Sequence, residues 1–262
     1  MIPQRYIIEW ANYVSWSEPR QVEQDLIITR ALLDLYSDPL IRKSLAFRGG
    51  TALNKIVFNP PSRYSEDIDL VQILPEGIGP TINRIQDILE PWLGKPKNKD
   101  FSAICSVLYY KTISEDGFPI KIKVEINTRE HLCIMGFKEY PFKSISSWAP
   151  GNALITSYAI EELLGTKMRA LYQRRKGRDL YDLYVALTTL DNLDIKAMVH
   201  CFGEYTSDQS QRISKKNFLT NMDQKLKSEI FLKDIKPLLP YNVNFDSNTA
   251  YNIVREQLIE YL

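Results

Sequence analysis

The chain has 262 residues, of which 44% are hydrophobic and 25% are charged, and its formal net charge is +1. A chain of this length can bury a full hydrophobic core, as one large domain or two modest ones, and its composition is typical of globular proteins. The nearly neutral charge excludes a protein that attracts nucleic acid through its overall field, so any basic surface must be local.

The cysteine content and the chain terminus predict a cytoplasmic protein. Cys105, Cys133 and Cys201 are odd in number, widely separated and without C-x-x-C spacing, which is typical of free thiols in a reducing compartment. The first residues contain no apolar signal region, and no apolar run is long enough to span a bilayer. We therefore expect no membrane partner.

Two helices are predicted at the beginning of the chain. Residues 3–16 mix aromatic and polar positions in a way that favours a short helix. Between Pro19 and Pro39, apolar residues recur at helical spacing, with the first proline suited to an initial turn and the second to an exit. Both helices are interpreted as packing elements.

A pair of glycines follows, between a predicted strand and a predicted helix. Residues 44–47 have the apolar character of a strand, and residues 51–55 have that of the first turns of a helix, with Gly49 and Gly50 between them. Such an arrangement brings backbone amides together with a helix N-terminus, which suits a phosphate group. By itself, this segment does not identify a phosphate-binding site.

Two carboxylates lie in the next apolar run, residues 67–71. Asp67 and Asp69 are two positions apart, so in an extended strand they project from the same face of a sheet. Carboxylates held so closely repel one another unless a cation lies between them. Magnesium suits this pair, because it prefers hard oxygen ligands and is usually held by one or two carboxylates together with substrate phosphates. The glycine pair and the acid pair together predict a pocket for a metal ion and a triphosphate.

Further elements are expected to complete a sheet. A helix is predicted over residues 81–93 and a strand over residues 102–113, followed by a hairpin turn at residues 115–117. Residues 120–126 then alternate apolar and charged positions, which predicts a half-exposed strand. Residues 128–155 are expected to add the remaining strands.

From about Thr156 the composition becomes helical, which divides the chain into a first domain, residues 1–155, and a mostly helical one, residues 156–262. The helical part begins with a basic cluster that consists of Lys167, Arg169, Arg174, Arg175, Lys176 and Arg178. Gly177 is expected to break the helix, and the next helix carries Asp179 and Asp182 on one face.

Two interpretations of the basic cluster remain open. In the first, Lys167 neutralises the charge that grows on a leaving group, one aspartate fixes a basic residue, and the other basic residues hold the phosphates of an acceptor. In the second, the segment is an ion-paired helical hairpin without a chemical role. The segment alone favours the second interpretation.

Four motifs in this order resemble those of the AbiEii/AbiGii toxin family, which is similar to the polymerase-β-type nucleotidyltransferases. They are FRGGTAL at residues 47–53, RYSEDID at residues 63–69, Lys167, and RDLYDLY at residues 178–184. The gap between the glycines and the first aspartate is longer than in the general superfamily pattern, because of the loop at residues 59–62.

The resemblance implies an α+β fold, in which a mixed sheet with flanking helices precedes a mostly helical half that contributes a lysine and an aspartate to the active site. It implies the toxin of a bacterial toxin–antitoxin or phage-defence (abortive infection) system. The implied reaction is metal-dependent transfer of NMP from an NTP to RNA, with a tRNA 3′ end as the candidate acceptor. The implied partner is a separately encoded antitoxin, often a DNA-binding repressor.

The resemblance also implies roles for single residues. Magnesium, or manganese in its place, would be held by Asp67 and Asp69. Glu125 would complete the metal site or activate the attacking hydroxyl, whereas the strand alone favours a solvated edge position for this glutamate. The triphosphate would contact Gly49, Gly50, Thr51, Ser65 and Lys167. The essential acid of the last motif is Asp182, with Asp179 as the alternative. The acceptor would be bound by Arg169, Arg174, Arg175, Lys176 and Arg178.

Two other functions remain as alternatives: a kinase-like enzyme that moves a γ-phosphate to a protein, and a catalytically inactive module that binds NTP or RNA. Zinc or histidine chemistry is unsupported, because His131 and His200 are far apart and have no ligand spacing to any cysteine. A G-x-x-x-x-G-K-[ST] motif is absent, which excludes a P-loop enzyme.

Overall fold

A computed structural model of the protein describes residues 2–101, 105–114, 116–207 and 213–262. The chain divides into two compact units, Met1–Tyr158 and Ala159–Leu262. Among the described residues, none of the helices combines the length and the hydrophobicity that crossing a bilayer requires.

The first unit begins with the two predicted helices, α1 (Gln4–Val14) and α2 (Pro19–Tyr36). A third helix, α3 (Pro39–Ser44), follows after two residues, so Pro39, which was expected to mark the exit from α2, is the first residue of α3. The Asp38 carboxylate caps α3 by accepting hydrogen bonds from two backbone amides of its first turn. Helix α2 is buried along most of its length and contacts the sheet.

The core of the first unit is a seven-stranded mixed sheet with the strand order β3-β4-β5-β2-β1-β7-β6. Its strands are β1 (Leu45–Arg48), β2 (Asp67–Gln72), β3 (Asn98–Phe101), β4 (Cys105–Ile113), β5 (Pro119–Asn127), β6 (Phe137–Ser144) and β7 (Gly151–Tyr158). Pairs β2–β5 and β1–β7 are parallel, and the other neighbours are antiparallel. The predicted mixed sheet with flanking helices is confirmed.

Several elements of this unit differ from the sequence-based expectation. The predicted helix after the acid pair is α5 (Gly79–Leu93), which begins two residues earlier. Strand β3 was not predicted, and β4 begins at Cys105, because residues 102–104 of the predicted strand lie outside the described residues. Residue 115 of the predicted hairpin turn is also outside them, while Gly117 at its other end donates a hydrogen bond to the Ser114 carbonyl.

Strand β5 is an inner strand, flanked by β4 and β2, so the alternative that placed Glu125 on a sheet edge is wrong. The pairing is parallel, with Asp69 opposite Glu125 and Asp67 opposite Lys123. The intervening residues Ile68 and Val124 are fully buried, so the four charged side chains share the other face of the sheet. This register positions the candidate site.

The second unit is helical, as predicted. Its helices are α6 (Ile160–Gln173), α7 (Gly177–Thr189), α8 (Ile195–Glu204), α9 (Lys215–Lys225), α10 (Glu229–Asp234) and α11 (Ser247–Gln257). The first helix of this unit begins at Ile160, a few residues after Thr156, because β7 runs to Tyr158 and the Ser157 hydroxyl donates to the Phe47 carbonyl of β1. Gly177 begins α7 and lies beyond the end of α6 at Gln173.

Candidate active site

The sheet of the first unit brings together the predicted metal-binding carboxylates. Asp67, Asp69 and Glu125 are each partly exposed, on adjacent parallel strands and on one face. Alternation along β2 accounts for the first two, because residues two apart in a strand project to the same side. The third is brought there by the pairing of β2 with β5.

Lys123 is the cation that the structure places among these acids. Its ammonium forms an ion pair with Glu125 and lies 3.9 Å from the Asp67 carboxylate. Burial lowers the pKa of Lys123, but its hydrogen bond to Glu125 and the negative charges around it outweigh burial and raise that pKa. Sequence reasoning assigned no role to Lys123; the alternation of apolar and charged residues along β5 was the available signal for a shared site.

The carboxylate cluster is electrostatically unfavourable despite this lysine. Burial raises the pKa of the Asp67 carboxyl to about 6, although the charge of Lys123 opposes the increase. The neighbouring acids raise it further; they are Asp69, Glu66 and Glu125. A group of negative charges that hinder one another's ionisation is a favourable environment for a bound cation.

The donor set of this cluster fits a hard divalent cation, since all three side chains offer carboxylate oxygens. Within the described ranges, no three His, Cys, Asp or Glu side chains are already gathered closely enough to hold a metal ion. Burial and, to a lesser degree, the neighbouring acids disfavour the ionised form of Asp67, and a bound Mg²⁺ or Mn²⁺ would favour it. The three-carboxylate metal site stays a prediction.

The Gly49-Gly50 turn lies directly against this cluster. Gly49 has φ +80°, and a Cβ atom there would lie 2.5 Å from the Asp69 Oδ2 atom. Only glycine meets both conditions, because it tolerates positive φ and has no side chain. The two glycines are the first residues of α4 (Gly49–Ala52), which continues into a π-helical turn, Leu53–Val57.

Two predicted nucleotide-binding hydroxyls join the glycine turn to β2. The Thr51 hydroxyl donates to the Asp67 carbonyl at 2.5 Å, and its oxygen lies 2.7 Å from the Ser65 hydroxyl oxygen. Because the Thr51 proton is directed at that carbonyl, Ser65 is the donor in the second bond. Thr51 is buried and Ser65 is partly exposed, so the structure presents Ser65 more openly than Thr51.

The second unit contains a buried charge cluster built by α6 and α7. The ammonium of Lys167 lies 3.2 Å from Asp179 and 3.0 Å from Asp182, and the lysine is 5% exposed whereas both aspartates are fully buried. Arg174 adds two hydrogen bonds of 2.7 and 2.8 Å to the Asp179 carboxylate. Sequence spacing left the choice between the two aspartates open, and the structure places both against Lys167.

These acids are compensated by their neighbours. Burial alone would raise the pKa of Asp179, but the charges and hydrogen bonds of Lys167 and Arg174 outweigh burial and lower that pKa. The cluster therefore has the ion pairs that the hairpin interpretation requires. It also has the lysine–aspartate contacts that the family motif implies, so both interpretations describe part of it.

Most of the predicted acceptor-binding residues form hydrogen bonds or ion pairs within the second unit. Arg178 donates two side-chain hydrogen bonds of 3.0 Å to Asp234, and Lys176 lies 3.3 Å from the same carboxylate. Arg169 donates to the Tyr205 carbonyl and stacks on its ring, 5.0 Å from the centroid. Asp234 was missed by sequence reasoning, because no local pattern relates it to residues far earlier in the chain.

The remaining basic residues of the cluster, Arg174 and Arg175, are exposed. Arg174 forms an ion pair with Asp179, so its charge is partly neutralised within the unit. Arg175 is therefore the member of the predicted set whose position best suits contact with an external phosphate. This assignment stays a prediction.

Comparisons with known proteins agree with the motifs. A family model described as "Nucleotidyl transferase AbiEii toxin, Type IV TA system" matches residues 30–248. No curated protein sequence matches the chain.

Among solved structures, the chain resembles MenT4, a nucleotidyltransferase toxin from Mycobacterium tuberculosis H37Rv, with 16% identity and a TM-score of 0.64. That match covers 98% of this chain and 88% of the other. A weaker match is to an antigenic nucleotidyltransferase-like protein from Paracoccidioides brasiliensis, with 14% identity, a TM-score of 0.43 and coverage of 79% and 96%. The first likeness shows a shared fold. Because the family model spans most of the sequence, the chain belongs to the AbiEii nucleotidyl transferase toxin family of type IV toxin–antitoxin systems.

Proposed function

We propose that this family member transfers NMP from an NTP to RNA in a reaction that depends on Mg²⁺ or Mn²⁺, with a tRNA 3′ end as the first acceptor to test. The observation that carries the proposal is the β2–β5 register, which sets Asp69 opposite Glu125 on the face that also presents Asp67. The membership of a nucleotidyltransferase family supports the reaction type.

Asp67, Asp69 and Glu125 would hold the metal. When bound there, a divalent ion supplies charge stabilisation for the entering and leaving oxygens of the transfer. The backbone of the Gly49-Gly50 turn would donate to phosphate oxygens, since successive backbone amides form anion-binding concavities. Ser65, the more open of the two hydroxyls, would contact the triphosphate.

Lys167 would neutralise the charge that develops on the leaving pyrophosphate. Asp179 and Asp182 would act as positioning residues, because their carboxylates hold the ammonium at 3.2 and 3.0 Å. We propose that this set in residues 156–262 and the carboxylates in residues 1–155 are required for the same reaction. Arg175, with contributions from Arg169, Arg174, Lys176 and Arg178, would contact the acceptor backbone.

The proposed partner is a separately encoded antitoxin of the DNA-binding repressor type, since the family consists of toxins of type IV toxin–antitoxin systems. The proposed location is the cytoplasm, where NTP and RNA are available. The cysteines support this location, because Cys105, Cys133 and Cys201 form no disulfide within the part of the chain that the structure describes.

The proposal is tested by incubating the purified protein with total RNA, Mg²⁺ and each NTP in turn, labelled at the α- or the γ-phosphate. We expect the α-label of at least one NTP to enter RNA, and chelation of the metal to prevent it. Only nucleotidyl transfer carries the α-label to the acceptor.

Two outcomes would contradict the proposal. Transfer of the γ-label to protein would indicate the kinase-like alternative. NTP binding without labelling of any acceptor, in a protein whose cellular effect survives Asp67→Ala, would indicate the inactive binding module.

A further inference from the structure

Arg63 is among the largest side chains that the fold buries completely, with 2% exposure. It lies in the segment that connects the π-helical turn to β2. Arginine is almost never fully buried unless the surrounding structure is arranged for it. One part of that arrangement is the hydrogen bond of 2.9 Å that its guanidinium donates to the Tyr64 carbonyl.

The guanidinium of Arg63 packs against the glycine turn. A Cβ atom at Gly50 would collide with its Nη2 atom, so the backbone at this position approaches the cation more closely than any side chain permits. The neighbouring Gly49 is likewise close to the Asp69 carboxylate, because a Cβ atom there would lie 2.5 Å from its Oδ2 atom. The Gly49-Gly50 turn is thus held between a buried cation and a carboxylate of the candidate metal site.

Asn54 joins the same two segments through its side chain and is itself 2% exposed. Its amide nitrogen donates to the Gly50 carbonyl at 2.9 Å. Its carbonyl oxygen accepts from the backbone amides of Ser62 and Arg63, each at 3.0 Å. Through these hydrogen bonds Asn54 fixes the turn relative to Arg63, because breaking any of them leaves a buried polar group without a partner.

We propose that Arg63 is a positioning residue for NTP binding, whose guanidinium packs against the Gly49-Gly50 turn and fixes the backbone of that turn. Arg63 needs no direct contact with the triphosphate, because the backbone donors of the turn that it holds in place bind the phosphates. This inference rests on the proposed function, in which the turn receives the triphosphate.

The test compares Arg63→Met, which removes the charge, with Arg63→Lys, which keeps the charge but loses the planar guanidinium. Ser62→Ala is the matched control, because it removes a neighbouring hydrogen bond to Asn54 and leaves the guanidinium in place. The full-length variants are assayed for KM and kcat with labelled NTP and RNA, and for equilibrium binding of a fluorescent, non-hydrolysable NTP analogue.

We expect Arg63→Met to raise the KM for NTP and the dissociation constant of the analogue by roughly ten- to a hundredfold, the loss associated with a charged hydrogen-bonding group. The kcat should change much less. Arg63→Lys should fall between Arg63→Met and the wild type, and Ser62→Ala should stay within about twofold of the wild type. A residue that serves stability alone would not separate KM from kcat in this way.

A double-mutant cycle with Gly50→Ala keeps the test decisive if Arg63→Met folds poorly. In the wild type, the added methyl group collides with the guanidinium, so Gly50→Ala should lower the melting temperature. In the Arg63→Lys background the collision partner is shorter, and the loss should be smaller. Equal losses in both backgrounds would overturn the packing relationship.

Different results would contradict the role of Arg63 and the proposed function. Folded Arg63→Met and Arg63→Lys variants with the NTP affinity of the wild type would overturn the role of Arg63 and leave the proposed function standing. A wild type that binds no NTP would overturn both. A wild type that binds the analogue but transfers no NMP would overturn the proposed reaction alone, and the binding measurement would still decide the role of Arg63.

Discussion

The carboxylates of the sheet and those of the helical hairpin are in opposite electrostatic situations. On β2 and β5, burial and neighbouring acids raise the pKa of Asp67 to about 6, even with Lys123 nearby. Between α6 and α7, two cations outweigh burial and lower the pKa of Asp179. In the first cluster Lys123 does not offset the unfavourable ionisation of Asp67, and in the second Lys167 and Arg174 do offset that of Asp179.

This electrostatic difference separates a cluster suited to binding a ligand from a cluster suited to holding a side chain in position. Acids that hinder one another's ionisation gain most from an external cation, whereas acids paired with buried basic groups gain nothing from one. The sheet cluster is therefore the better candidate for binding metal. The hairpin cluster is better suited to holding Lys167 in a defined orientation.

The largest expected effect is on activity. Asp69→Asn removes a proposed metal ligand while keeping the shape of the side chain, so NMP transfer should fall by about 10³-fold or more. The variant should still fold cooperatively, since asparagine has nearly the shape of the carboxylate that it replaces. Labelled-NTP assays and thermal unfolding check both, and an active Asp69→Asn variant would remove the basis of the comparison.

Lys167→Met should have the largest effect on stability. It leaves Asp182 buried without its cation, and breaking a buried ion pair in this way costs about 3–5 kcal/mol. The double variant Lys167→Met with Asp182→Asn keeps the Asp179–Arg174 pair and should recover much of that stability, as measured by denaturant unfolding. The double variant should still be inactive; recovery of activity together with stability would indicate that the hairpin is only structural.

Asp234→Asn should have a smaller, pH-dependent effect. Burial would raise the pKa of Asp234, but the hydrogen bonds and charge of Arg178 outweigh it and lower that pKa. Because the pKa of Asp234 is lower in the folded protein than in the unfolded chain, where it is about 4, the ionised carboxylate stabilises the folded state above that pH. This stabilisation is lost as the pH falls further. The variant should lose about 1–2 kcal/mol at pH 7 and much less at pH 3. A loss that is equal at both pH values would contradict the ion pair.

The smallest effect is expected for Lys123→Met. Without metal, the variant should be slightly less stable, by about 0.5–1 kcal/mol, because its carboxylates lose their internal cation. Added Mn²⁺ should then raise the melting temperature of the variant more than that of the wild type, since metal replaces a missing charge rather than competing with one. Equal metal-induced shifts would show that Lys123 and the metal do not share a site.

Much of the candidate site could be predicted from local patterns. The two-residue spacing of Asp67 and Asp69 places them on one face of any strand, whatever surrounds it. The order of the glycine, acid, lysine and RDLYDLY motifs was enough to indicate the family, which the family model confirms. Helical spacing likewise predicted α2 and the helical second unit.

The contacts between distant segments could not be predicted in this way. Local periodicity determines which face of an element is apolar, but the partner of that face is chosen by the packing of the whole unit. Only the tertiary structure decided that β5 pairs with β2, that Arg63 packs against Gly50, and that Arg178 reaches Asp234. The sequence by itself therefore determined the kinds of chemical group present and their local faces, and the fold determined which charged groups lie together.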